Sequence, residues 1–100
     1  MQELIIVKAK VQLFAGEGMR QNPFADKYRP LFTFKGAKTK VSGSINLLDR
    51  SLFYPGTTAT INITFIKGIL PDFYFRVGEH FVFSENVREM GEGEIIEIEK

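Results

Sequence analysis

Few of the 100 residues can do chemistry, and most reaction classes fail on what is missing. His80 is the sole histidine and there is no cysteine. Neither a histidine-containing triad nor a multi-histidine or thiolate metal site can therefore be assembled within the chain, and no disulfide framework exists. A phosphate-cradling GxxxxGK[ST] loop is also absent; "GAKTK", 36–40, is too short and lies in a hairpin rather than ahead of a helix. Glu92 and Glu94 form a spaced carboxylate pair. On a strand, side chains two apart share one face, and general acid–base work needs a cleft that splits the two pKa values. The sequence shows no such cleft. The expectation is a chain with no catalytic residues, no metal, no cofactor and no small-molecule substrate.

Charge offers more. Residues 20–40 carry six Lys/Arg (Arg20, Lys27, Arg29, Lys35, Lys38, Lys40) against one acid, Asp26, whereas residues 85–100 carry six of the twelve acids against Arg88 and Lys100. The net charge of +1 conceals this asymmetry. Arg20 and Arg29 bound "RQNPFADKYRP", 20–30, which leads into the hairpin bearing Lys35, Lys38 and Lys40. Such a patch can neutralise backbone phosphates of a nucleic acid. It can equally keep a sheet edge soluble, and charge spacing alone leaves both readings open.

The elements that must position these residues read as strands. Ile5, Val7, Ala9, Val11 and Leu13 alternate with Lys8, Lys10 and Gln12, the period-two pattern of a half-buried strand. Phe32 and Phe34 alternate with Leu31, Thr33 and Lys35. Gly36 in "KGAK" can take the positive φ of a tight reversal. Val41, Gly43, Ile45 and Leu47 form the returning arm, and Gly43 on the inward side allows a sharp bend of a barrel wall. "YPGT", 54–57, is a turn, followed by Ala59, Ile61, Ile63 and Phe65 on one face. The aromatic runs FYF, 73–75, and FVF, 81–83, flank "VGE", and Ile96 and Ile98 interleave with Glu97 and Glu99 at the end. No segment carries a helical stripe.

Six or so strands in one 100-residue domain are best stabilised by closure into a barrel, which removes exposed edges. Ten phenylalanines and no tryptophan point to a Phe-built core. Pro23 and Pro30 restrict the backbone of 20–30, and Phe24 and Tyr28 can anchor it, so that segment is expected to be a rigid strap. "MQELIIVKAK" lacks the apolar core of a secretory signal, and no run approaches the ~20 apolar residues of a membrane span. The default is a soluble, cytoplasmic domain spanning 1–100.

At "RQNPFADKYRPLFTF" the chain resembles the C-terminal β-barrel domain, domain 3, of translation elongation factor Tu. The family pattern GGRHTPFxxGYRPQFYF appears here as Gly18-Met19-Arg20-Gln21-Asn22-Pro23-Phe24, then Tyr28-Arg29-Pro30-Leu31-Phe32-Thr33-Phe34. Val41-Ser42-Gly43-Ser44-Ile45 is similar to the family's VTGTI, and Pro55-Gly56 falls where the family has MPGD. Gly78 to Glu85 and Arg88 to Gly93 resemble its closing strands, so the likeness covers nearly the whole chain. The resemblance implies a closed six-stranded antiparallel β-barrel. It implies a domain that neither binds nor hydrolyses GTP, docks on a GTPase domain and holds the T-stem of aminoacyl-tRNA by its backbone. Carried over by position, the RNA-facing residues are Arg20, Ser42, Lys67 and Glu85, with Arg29, Lys35, Lys38 and Lys40 as a supporting basic face.

The departures are specific. Gln21 and Asn22 replace a histidine and a threonine, Leu31 replaces a glutamine, and Asn86 and Val87 replace two glycines whose backbone could approach RNA closely. Residues 71–77, "PDFYFRV", hold an insertion of about four residues. The GTPase domain and second barrel of the resembled factor have no counterpart in these 100 residues, so the expectation is a stand-alone diverged domain. Two functions follow. One is contact with tRNA, structured RNA or a separate GTPase or translation-factor chain. The other is an orphan barrel used for protein–protein contact, with Phe73, Tyr74 and Phe75 as an aromatic anchor; simple core filling is the competing reading of those three rings.

Overall fold

The computed structural model describes residues 3–18 and 22–99. Six strands form: β1 Leu4–Leu13, β2 Leu31–Phe34, β3 Val41–Leu47, β4 Thr58–Ile66, β5 His80–Glu85 and β6 Arg88–Glu99, with one 3-10 turn at Asp72–Tyr74. They close into a barrel in the order β1-β4-β3-β2-β5-β6, and every neighbouring pair is antiparallel. The chain is thus all-β, as the alternating pattern indicates, and closed, as removal of exposed edges favours. No helix among the described residues is long and apolar enough to cross a membrane.

Alternation decides the core. Val7, Ala9, Val11 and Leu13 from β1 and Ala59, Ile61, Ile63 and Phe65 from β4 all point inward and are buried. Phe32 packs edge-on against Phe65 and Phe81 at ring separations of 5.2 and 5.4 Å. Rings this large need gaps in the neighbouring strands, and glycine supplies them. A Cβ on Gly43 would lie 2.8 Å from both Ile63 and Phe65 and 2.9 Å from Phe32. Gly91 and Gly93 on β6 likewise leave room for Phe83 and Phe81, whose rings lie where their side chains would be.

β6 departs from the simplest reading of its sequence. A register shift between Lys8 and Ala9 on β1 offsets the pairing from Lys8↔Glu97 to Ala9↔Ile95. Ile95 therefore takes the buried inward position, and Ile96 is the extra bulge residue turned outward, 43% exposed. The YPGT turn forms as expected: the Thr57 amide and hydroxyl both donate to the Tyr54 carbonyl, the hydroxyl at 2.7 Å.

FYF is not a strand. Pro71 opens a short 3-10 turn in which the amides of Tyr74 and Phe75 donate to the carbonyls of Pro71 and Asp72. The turn drops Phe75 into the barrel end against Phe34 and Phe65 and leaves Phe73 outside.

Candidate functional site

The strap is fastened wherever it is described. Phe24 exchanges two backbone hydrogen bonds with Phe53 and stacks 4.4 Å from Tyr28. Tyr28 bridges Ile45, the amide of Lys27 donates to the Ile45 carbonyl, and the amide of Gly43 donates to the Pro30 carbonyl. Asp26 accepts the Leu47 amide at 2.6 Å. The pairing of Tyr28 with Ile45 continues the register of Leu31 with Ser42. Strap and β2 thus form one long arm against β3, and Arg29 falls opposite Ser44. Arg20 and Gln21 lie outside the described residues.

This geometry gathers most of the residues named from sequence. The outer side of the ribbon carries Arg29, Leu31, Thr33 and Lys35 along one arm and Lys40, Ser42, Ser44 and Asn46 along the other; Lys38 stands at the hairpin tip. From Arg29 to Lys35 the arm runs about 20 Å at strand rise. Among the described residues none of Lys27, Arg29, Lys35, Lys38 and Lys40 has an ion-pair partner. The hydroxyl of Ser42 is on the exposed side, next to Leu31. Leu31 stands mid-ribbon as an apolar step between cations.

Two of the named residues sit differently. Lys67 follows β4, and its ammonium faces two carboxylates, Glu3 at 3.6 Å and Asp72 at 3.9 Å. Glu85 is half-buried at the end of β5, paired with Arg88 across the two-residue turn Asn86-Val87. Asn86 takes φ of 55°, a left-handed conformation that asparagine tolerates far better than a β-branched residue. Val87 then projects into solvent, 95% exposed. Where the resembled family has two glycines, this turn presents a side chain.

The aromatics of 73–75 divide. Phe75 is core. Tyr74 is half-buried, and its hydroxyl donates to the Gly36 carbonyl at 3.4 Å, tying the 3-10 turn to the lysine hairpin. Phe73 is 57% exposed and stacks on Tyr74 at 4.4 Å. Core filling describes one ring and surface anchoring another.

Sequence reasoning missed one feature altogether. A groove of about 630 Å³ runs over the outside of β1, β6, β5 and β2, and Glu92 and Glu94 line it together with Lys10, Lys35, His80 and Thr33. The expectation that no cleft accompanies the carboxylate pair is corrected here. Cross-strand register builds the groove: Lys10, Glu94 and His80 are successive neighbours, as are Gln12, Glu92, Val82 and Thr33. Nε2 of His80 stands 3.9 Å from Oε1 of Glu94. No signal in the linear sequence brings residues 10, 35, 80 and 92 together, because they come from β1, the end of β2, β5 and β6.

Among the described residues the clear electrostatic shifts lie elsewhere. Asp49 and Arg50, in the β3–β4 connection, share two hydrogen bonds of 2.7 and 3.1 Å. The Arg50 guanidinium, chiefly through these bonds, holds the Asp49 carboxyl below the usual range, and Asp49 in turn raises Arg50. Among the described residues no cluster of three or more His, Asp or Glu side chains could hold a metal ion. No protein-family model matches the chain.

Proposed function

We propose that this chain is a non-enzymatic binding module that holds a structured RNA, of the tRNA-stem type, by its backbone along the outer face of the strap–β2–β3 ribbon. The observation that carries the reading is the line of Arg29, Lys35 and Lys40 on one fastened surface with no ion-pair partners among the described residues. Cations left unpaired at the surface retain their full attraction for phosphate, and each phosphate they neutralise releases counterions. Ser42 and Ser44 add hydroxyls between the cations, suited to ribose and phosphate oxygens. The resemblance to domain 3 of elongation factor Tu supports the same face and gives the reading its translation-related, cytoplasmic setting. Lys67 contributes less than its position implies, because Glu3 and Asp72 already neutralise it.

The test is binding of a tRNA-like stem as a function of salt. Affinity should fall linearly on a log–log plot, with a slope near −3 if three phosphates are neutralised (about 0.9 per phosphate). Undetectable binding at low salt would end the RNA reading.

One observation favours a second reading. Phe73 is an exposed ring braced by Tyr74, the form of an anchor for a protein partner. Capture of a partner protein that is lost in Phe73→Ala and indifferent to RNA would favour that reading.

A further inference from the structure

The groove over β1, β6, β5 and β2 differs from the basic ribbon in carrying opposite charges at fixed separation on either side of Val82. Glu94 is engaged, facing His80 at 3.9 Å and lying opposite Lys10 in register. Glu92 has no ion-pair partner among the described residues; its register neighbours are Gln12 and Val82. Lys35, at the far side of the groove, is likewise unpaired. Between them the half-buried Val82 and Ala37 line the groove, while Phe34 and Phe81 border it from strands whose rings turn into the core.

The spacing selects a ligand class. Val82 pairs with Glu92 on one side and with Thr33 on the other, and Lys35 lies two residues beyond Thr33. Two strand spacings across and two residues along separate the Glu92 and Lys35 backbones by roughly 12 Å. An extended tripeptide spans about 10 Å, and side chains close the remainder. A groove of about 630 Å³ has room for a ligand of this size.

We propose that the groove is a binding site for a short peptide with free termini. Glu92 receives the terminal ammonium, Lys35 the terminal carboxylate, and a central apolar side chain lies against Val82 and Ala37. The site is independent of the RNA reading except that Lys35 stands at the edge of both surfaces. Binding requires opposite charges at both ends of one small molecule, which an RNA backbone lacks.

The experiment is a titration of the isotopically labelled full chain with the tripeptide Ala-Phe-Ala, followed by backbone amide shifts. Saturable shifts are expected at Lys35, Gly36, Val82, Glu92 and Gly93. Acetylating the amine or amidating the carboxylate should each weaken binding roughly tenfold, one charge-assisted contact apiece. Glu92→Gln should erase the difference between free and acetylated amine while leaving the effect of amidation intact. Glu92 is exposed, so this variant should keep the native spectrum; if it does not, Lys35→Met with the complementary loss of carboxylate sensitivity makes the same test. Absent shifts, shifts centred elsewhere, or equal affinity for free and doubly blocked peptide would each overturn the proposal.

Discussion

Two outer faces of one barrel handle charge in opposite ways. On the β1–β6 side acids predominate and two of them meet a basic neighbour within the fold: Lys8 Nζ lies 3.8 Å from Glu97, and His80 faces Glu94 at 3.9 Å. On the strap–β2–β3 side Arg29, Lys35 and Lys40 line up without a carboxylate among the described residues to answer them. Paired surface charges contribute little to stability and attract little from outside. Unpaired like charges cost a little in mutual repulsion and draw an anionic partner. The difference teaches where to look for function: in the charge the fold leaves unanswered rather than in the face with more of it. Glu89, Glu92 and Glu99 have no ion-pair partner among the described residues, and of these Glu92 lines the groove.

The harshest way to break the comparison is to remove the wall that carries the acidic face. Gly91→Ala would press a methyl onto the Gln12 carbonyl and the Phe83 ring, one of them backbone. Overpacking of this kind should cost about 3 kcal/mol or more, lowering the melting temperature by roughly 12 °C or more for a domain of this size. Thermal unfolding checks it. A variant as stable as the parent would mean that β6 can shift outward and that the groove's floor is not fixed.

A smaller effect sharpens the comparison directly. The triple variant Arg29→Ala, Lys35→Ala, Lys40→Ala should weaken binding of a tRNA-like stem about a hundredfold at low salt and reduce the salt slope by about 3. Lys8→Ala with Lys10→Ala, two cations removed from the acid-rich face, should change affinity less than twofold. Equal losses from both sets would show that net charge, not the ribbon's arrangement, attracts the RNA.

How much of this was legible differs between the two faces. The ribbon was largely readable: alternation marked both arms, Gly36 marked the reversal and takes φ of 87°, and Tyr28 and Phe24 marked the strap's anchors. These are local signals, each carried within a few residues. The acidic side was not readable to the same degree. Gly91 and Gly93 occupy inward positions where alternation calls for apolar residues, because rings from β5 fill that space from the other strand. The bulge that turns Ile96 outward depends on β1, some ninety positions away in sequence. The groove follows from register across four strands, and the neutralisation of Lys67 from the meeting of Glu3 and Asp72 at one barrel end. FYF failed for a different reason: Pro71 sets a 3-10 turn that period-two counting cannot register.

The finest test of the comparison uses stability and salt together. Lys8 and Glu97 are both partly exposed and 3.8 Å apart, so their pairing is worth only about 0.5 kcal/mol. Lys8→Ala should therefore destabilise the barrel slightly at low salt. Lys40→Gln, by relieving repulsion at a cation with no ion-pair partner among the described residues, should raise stability by a few tenths of a kcal/mol. Screening acts on both, since the Debye length falls from about 10 Å at 0.1 M to about 3 Å at 1 M salt. Urea denaturation at the two salt concentrations should show differences of opposite sign that both shrink toward zero as salt rises. If Lys40→Gln destabilises the barrel as Lys8→Ala does, then Lys40 has a stabilising contact within the fold. The basic ribbon would then lose its claim to be the unanswered face.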